Sequence, residues 1–227
     1  MLTSEKSYYK RRLPHYQPEN ATFFITCRLS NSLPAEVLHR LYEEKKLLKS
    51  EIILQKDADK HKKLLLDYQH IYFGKFDEYL NKVTKGPRWL LEDRIAQIVS
   101  DALHYRDGKV FDLICYCIMP NHLHIVFNAG LDVIKLITKD SLPCTRDVIP
   151  LYKIMHSFKR FTALECNRAL RRTGSFWQAE SYDHVVRDEN ELGNIIRYTI
   201  YNPVKSGLCN DWNEWKWNYV KKGFIES

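Results

Sequence analysis

Two apolar spacings alternate along the chain, one of strands and one of helices, and their succession predicts the order of elements. Thr22 to Leu29 (TFFITCRL) is rich in β-branched and aromatic residues and is closed by Ser30-Asn31-Ser32, which predicts a strand inside a sheet. From Pro34 the spacing turns helical, with Val37, Leu38 and Leu41, and runs into a Lys-rich stretch from Glu43 to Lys63 where Leu47, Leu48, Ile52, Ile53 and Leu54 keep an apolar stripe. No glycine interrupts it before Gly74, so a helical arm inserted at about 43–85 is expected, either packed on the domain as a solvated amphipathic helix or gripping DNA. After the turn at Lys85-Gly86-Pro87, Leu90, Leu91, Ile95, Ile98, Val99 and Leu103 predict a helix over Trp89 to His104 that covers a sheet. Phe111 to Ile118 reads as a strand, and Pro120-Asn121 turns it into a second strand within Cys117 to Phe127. Lys139 to Pro150 reads as a loop, Leu151 to Leu170 as a helix, Trp177 to Val186 as extended, and Asn190 to Tyr201 as a helix ended by Asn202-Pro203. That succession describes an α+β domain with helices on a small antiparallel sheet.

The length of 227 residues with 44% hydrophobic residues suits a single domain over 1–227 carrying the 43–85 insertion. A net charge of +7 favours a polyanionic partner, and 13% aromatic residues add stacking platforms, so nucleic acid is the natural candidate. The six cysteines form no Cys-x-x-Cys pair, which argues against a structural zinc. With no apolar signal core near the start and no stretch long enough to span a bilayer, they read as reduced thiols of a cytoplasmic protein, nucleoid-associated when bound to DNA.

The most informative segment is CIMPNHLHIVF, Cys117 to Phe127. If Leu123 points into a core, His122 and His124 project from the opposite face together, because successive strand side chains alternate. Two adjacent imidazoles can hold one metal ion, and the strand end is open to a further ligand. The plainer alternative is one satisfied polar histidine and one facing solvent. Tyr198 and Asn202, four residues apart, fall on one helical face, where a phenol and an amide could meet the histidines. An asparagine oxygen with two imidazoles makes a mixed shell suited to Mg2+ or Mn2+. The alternative there is a helix-capping Asn202 and a core-packed Tyr198.

The segments MPNHLHIVF, SFWQAESYDHVVRDENE and IIRYTIYNPVKSGL, in this order, resemble the REP-associated tyrosine transposases, relatives of the single-tyrosine insertion-sequence transposases in the HUH superfamily. The resemblance covers Tyr9 to Arg28 and roughly Pro87 to Leu208. It implies a ferredoxin-like fold whose central strand carries the metal ligands His122 and His124, with Tyr198 as nucleophile and Asn202 as third ligand. It also implies cleavage of single-stranded DNA beside a hairpin, through a 5′-phosphotyrosine that leaves a free 3′-hydroxyl. Because the linkage keeps its ester energy, a second 3′-hydroxyl can reverse the step, so strand transfer is expected. The arm at 43–85 departs from compact members of the family, and Tyr201 stands beside the ligand position. Tyr201 is rotated about 100° from Asn202 around a helix, which favours Tyr198 as the attacking phenol.

A neutral phenol is a weak nucleophile and the phosphodiester repels an approaching anion, so a divalent ion at this place is expected to polarise the phosphate and align it. His184 and Gln178, with Tyr201, are candidates to touch substrate or support a ligand. Lys153, Lys159, Arg160, Lys10, Arg11 and Arg12 are candidate phosphate contacts, with Tyr8, Tyr9 and Tyr16 available to stack on bases. A hairpin-binding module for DNA or RNA without cleavage is the alternative function, and a small-molecule hydrolase ranks last because no His-Glu-x-x-His element is present. Both monomer and homodimer remain open. Neutralising Arg11 and Arg12 is expected to weaken DNA binding and flatten its salt dependence; an unchanged salt slope in a binding titration would remove both from the footprint.

Overall fold

The computed structural model describes residues 8–10, 14–16, 20–54, 57, 60, 74–82, 85–130 and 149–224. Two short strands, β1 (Tyr8–Lys10) and β2 (Pro14–Tyr16), form a separate antiparallel ribbon. Then come β3 (Thr22–Arg28), α1 (Ala35–Leu54), α2 (residues 74–82), α3 (Asp93–Arg106), β4 (Asp112–Ile118) and β5 (His122–Asn128). The chain continues with α4 (Leu151–Ala169), β6 (Tyr182–Val185), α5 (Glu189–Ile200), α6 (Asn202–Lys205) and β7 (Asn218–Val220).

Five strands make one antiparallel sheet in the order β6-β3-β5-β4-β7. Without β7, the path β3-α3-β4-β5-α4-β6 is the βαββαβ succession of a ferredoxin-like fold, with its first and third strands at the centre. The expected α+β class therefore holds, and β5, the histidine strand, lies in the middle of the sheet.

Strand alternation sorts side chains between the two faces. Leu123, Ile125 and Phe127 of β5 join Phe23, Ile25 and Cys27 of β3 in the main core. Helix α3 covers that face with Ile95, Ala96, Val99, Ala102 and Leu103, and α4 with Leu151, Ile154, Met155, Phe158 and Cys166. Trp177 closes its rim by donating from Nε1 to Thr162 Oγ1 at 2.8 Å. The opposite face has a smaller apolar patch of Phe24, Ile114, Cys115, Val126 and Ile196, covered by α5.

Helix α1 begins at Ala35, as the helical spacing from Pro34 predicts, and runs unbroken to Leu54. Leu41 packs with Leu33 and Leu80 in a third small cluster that joins α1 to α2, whereas Leu47 and Leu54 are 64% and 77% exposed. Helix α5 ends at Ile200 with Tyr201 as its cap, close to the expected end, and Pro203 then occupies the first turn of the short α6, where its missing N–H costs nothing. Three-residue strands β1, β2 and β7 are too short for a period-2 pattern to reveal. Most of the 55–73 part of the arm, and residues 131–148 of the expected loop, lie outside the described residues. No helix among the described residues is long and apolar enough to cross a membrane. Phe127, fully buried between Phe23 and Phe111, is expected to cost about 3–5 kcal/mol when changed to alanine, read as a lowered midpoint in urea unfolding.

Candidate metal centre

The face of β5 turned away from the main core presents His122 and His124, both fully buried. Each ring is held from behind. Asn121 donates from Nδ2 to the Leu80 carbonyl at 2.9 Å, which turns its Oδ1 toward His122 Nδ1 at 2.7 Å. An amide oxygen only accepts, so His122 carries its proton on Nδ1. Burial first, and then the neighbouring His124, push the His122 pKa down to about 3, against the pull of Asp77, and the ring is neutral at pH 7. His124 Nδ1 meets Thr26 Oγ1 at 2.9 Å, and its Nε2 accepts from Asn202 Nδ2 at 3.1 Å. The bare Nε2 atoms of the two rings face one another at 3.1 Å.

A residue that the motif did not disclose completes this group. Asp77 of α2 is 3% exposed, and with both histidines it forms a set of ligand atoms all within 4.8 Å of one another. Its Oδ1 stands 3.1 Å from His124 Nε2 and 3.6 Å from His122 Nε2 but has no hydrogen-bond partner. Its Oδ2 accepts from the Tyr198 hydroxyl and from Asn202 Nδ2, the latter at 3.1 Å. Burial works against its charge, but His124, His122 and the Tyr198 hydrogen bond outweigh it and hold the carboxyl below its usual range. Lone pairs converging without a proton to share repel one another, and a cation among them removes that cost. The orphaned oxygens of Asp77 and Asn202 therefore fit a bound metal.

Tyr198, on the last full turn of α5, lies at the edge of this cluster with its ring centroid 5.8 Å from that of His124. Phe24 meets it edge-on at 6.1 Å, and the Lys205 ammonium lies 4.6 Å from its centroid. Burial, the Asp77 charge and the hydrogen bond to Asp77 all raise its pKa above the ordinary phenol value. Beside it opens a cavity of about 580 Å³ lined by Phe24, Tyr182, His184, Glu191 and Tyr198 among others.

The structure thus brings His122, His124, Tyr198 and Asn202 together. Asn202 turns Nδ2 rather than Oδ1 toward His124, because the Asp77 carboxylate accepts from that same amide. Tyr201, the cap of α5, points outward, 42% exposed and near Trp212. His184 lines the cavity and pairs with Glu191 at 3.0 Å, in a cluster with Arg187. Gln178 lies elsewhere, lining a cavity under α4 on the other sheet face. Lys153 and Arg160 are exposed on α4, on that same far face, and Lys159 donates to the carbonyls of Gln178 and Ala179. The Lys10, Arg11 and Arg12 side chains, and those of Tyr8, Tyr9 and Tyr16, lie outside the described residues. Asp77 could not be singled out in the sequence: it sits in FDEYL, an ordinary amphipathic pattern 45 positions before His122 (122 − 77).

No family model matches the chain. A curated protein of Haemophilus influenzae, provisionally named a REP-associated tyrosine transposase, is 26% identical over 159 residues, which are 62% of this chain and 83% of that one. The family that the three motifs resemble is thus also the one by which this relative is named. Among solved structures, a REP-associated tyrosine transposase bound to a REP hairpin overlays 92% of this chain and 82% of its own at a TM-score of 0.49 and 14% identity. A bacterial tRNA(His) guanylyltransferase-like protein in complex with GTP overlays 87% and 70% at 0.40 and 10%. Strand order, and not these partial overlays, defines the fold.

Because Asn121 sets the His122 tautomer, Asn121→Ala is expected to weaken Mn2+ binding about 10–100-fold by calorimetric titration without unfolding the protein.

Proposed function

We propose that this protein is a metal-dependent endonuclease and strand transferase acting on single-stranded DNA next to hairpins, through a covalent 5′-phosphotyrosine on Tyr198. The observation that carries the reading is the meeting of two bare imidazole nitrogens, a buried carboxylate and a phenol hydroxyl in one cluster beside an open cavity. The curated relative, a transposase by name, supports the same class of chemistry.

His122, His124 and Asp77 hold the metal, Mg2+ or Mn2+, with Asn202 adjacent; nitrogen and carboxylate donors suit such ions. When bound, the ion supplies Lewis-acid polarisation of a phosphate oxygen and a fixed point against which the strand is aligned. Everything else comes from the chain. Tyr198 Oη attacks the scissile phosphorus from the cavity side and gives its proton up to water, while the 3′-oxygen leaves with the bonding pair and takes a proton from water to become a hydroxyl. The Lys205 ammonium beside the ring offsets charge that builds on the phenol oxygen and the phosphate. Tyr182, half-buried on β6 beside Tyr198, and His184 line the cavity that receives the flanking nucleotide. The net charge of +7 favours the polyanion over a small neutral substrate. The domain is one unit over 1–227, monomeric or homodimeric, with the 43–85 arm contributing Asp77 to the site.

Single-stranded hairpin DNA labelled at its 3′ side, incubated with Mn2+, is expected to yield a denaturation-resistant labelled protein that disappears in Tyr198→Phe and persists in Tyr201→Phe. Tight hairpin binding with no adduct in the wild-type protein would favour the non-cleaving module instead.

A further inference from the structure

The insertion between β3 and α3 departs from the compact pattern and contributes the one carboxylate of the buried cluster. Its two oxygens face different partners. Oδ1 looks toward the histidine nitrogens and makes no hydrogen bond, while Oδ2 receives the Tyr198 hydroxyl and the Asn202 amide.

Helix α2 is pinned on several sides, so this division is built in. Leu80 is buried against Leu33 and Leu41, and its carbonyl takes the Asn121 amide at 2.9 Å. The Arg28 guanidinium lies 5.9 Å from the Phe76 ring centroid, next to Asp77 in sequence. One helix therefore contacts the histidine pair twice: directly through Asp77, and through Leu80 and Asn121 behind His122.

The contact with Tyr198 also has a direction. A phenol has a single O–H, and here it points at Asp77, so the oxygen lone pairs are left facing away from the carboxylate. A nucleophile attacks through a lone pair, and a displacement of about 1 Å can cost about a hundredfold in rate.

We propose that Asp77 is the positioning residue of this centre, joining the metal through Oδ1 and aiming the Tyr198 nucleophile through Oδ2, so that the inserted helices are a working part of the site. The proposal rests on the strand-transferase reading for the purpose of the aim, but the Asp77–Tyr198 link is measurable without DNA.

The test uses the full chain carrying tyrosine labelled with 13C at Cζ, as wild type, Tyr198→Phe to assign the Tyr198 signal, Asp77→Asn and Asp77→Ala. Asp77→Asn keeps the side-chain shape and guards against a folding defect, which the remaining tyrosine signals report. In both Asp77 variants the Tyr198 signal is expected to move upfield as its hydrogen bond to a carboxylate is lost. Mn2+ binding, followed by its electron paramagnetic resonance, is expected to weaken but to saturate. At saturating Mn2+ and hairpin DNA, the adduct is expected to form about a hundredfold more slowly, with hairpin affinity within about twofold of wild type. An unmoved Tyr198 signal, or an adduct rate within about twofold of wild type, overturns the proposal. A faster adduct overturns it too, since the carboxylate would then be a cover that the phosphate displaces. A wild-type protein that forms no adduct while its Tyr198 signal still depends on Asp77 overturns the transferase reading and upholds the link.

Discussion

Two imidazole nitrogens that face one another at 3.1 Å in the buried interior are the constraint around which the rest of the molecule is organised. Such an arrangement is unfavourable by itself, because neither lone pair has a donor of its own on the side where they meet, apart from the Asn202 amide that reaches His124. It persists because each ring is tied off from behind, His122 by Asn121 and His124 by Thr26 of the neighbouring strand. A central position on β5 makes those ties possible: β3 supplies Thr26 opposite His124, and the turn before β5 supplies Asn121. A metal bound there would convert the remaining repulsion into coordination.

The ferredoxin-like scaffold separates two tasks between the faces of one sheet. The face under α3 and α4 carries most of the large buried side chains and with them most of the hydrophobic stabilisation. The other face is covered by α5 over a small apolar patch and by α2 over the polar cluster. Polar burial concentrates there, in Thr26, Arg28, Asp77, Asn121, His122, His124 and Asn202. A rigid apolar layer on one side lets a costly polar layer stand on the other, which suits a site that must hold its groups in place before substrate arrives.

The insertion changes how the family resemblance is to be understood. In the sequence it is a Lys-rich helix with an apolar stripe, and its basic character suggests a grip on DNA. Leu47 and Leu54 stand exposed, whereas the proximal part of α1, through Leu41, packs with α2 and brings Asp77 beneath the phenol. Its described contacts with the domain are directed at the centre of the site more than at its margins.

What the amino-acid order settled by itself was everything that depends on neighbours a few residues apart. The period-2 run around Leu123 put both histidines on one face, and the helical spacing of Tyr198 and Asn202 put a phenol and an amide on another, because those periodicities are local geometry. The alternating strands and helices likewise led to an antiparallel sheet covered by helices. The three-residue strands, the outward turn of Tyr201 and the removal of Gln178 to the far face needed the packed molecule. Above all, Asp77 entered the site only through tertiary structure: no local pattern links a carboxylate to histidines 45 and 47 positions later (122 − 77 and 124 − 77), and the folding of α2 against β5 alone brings them within bonding reach of one ion.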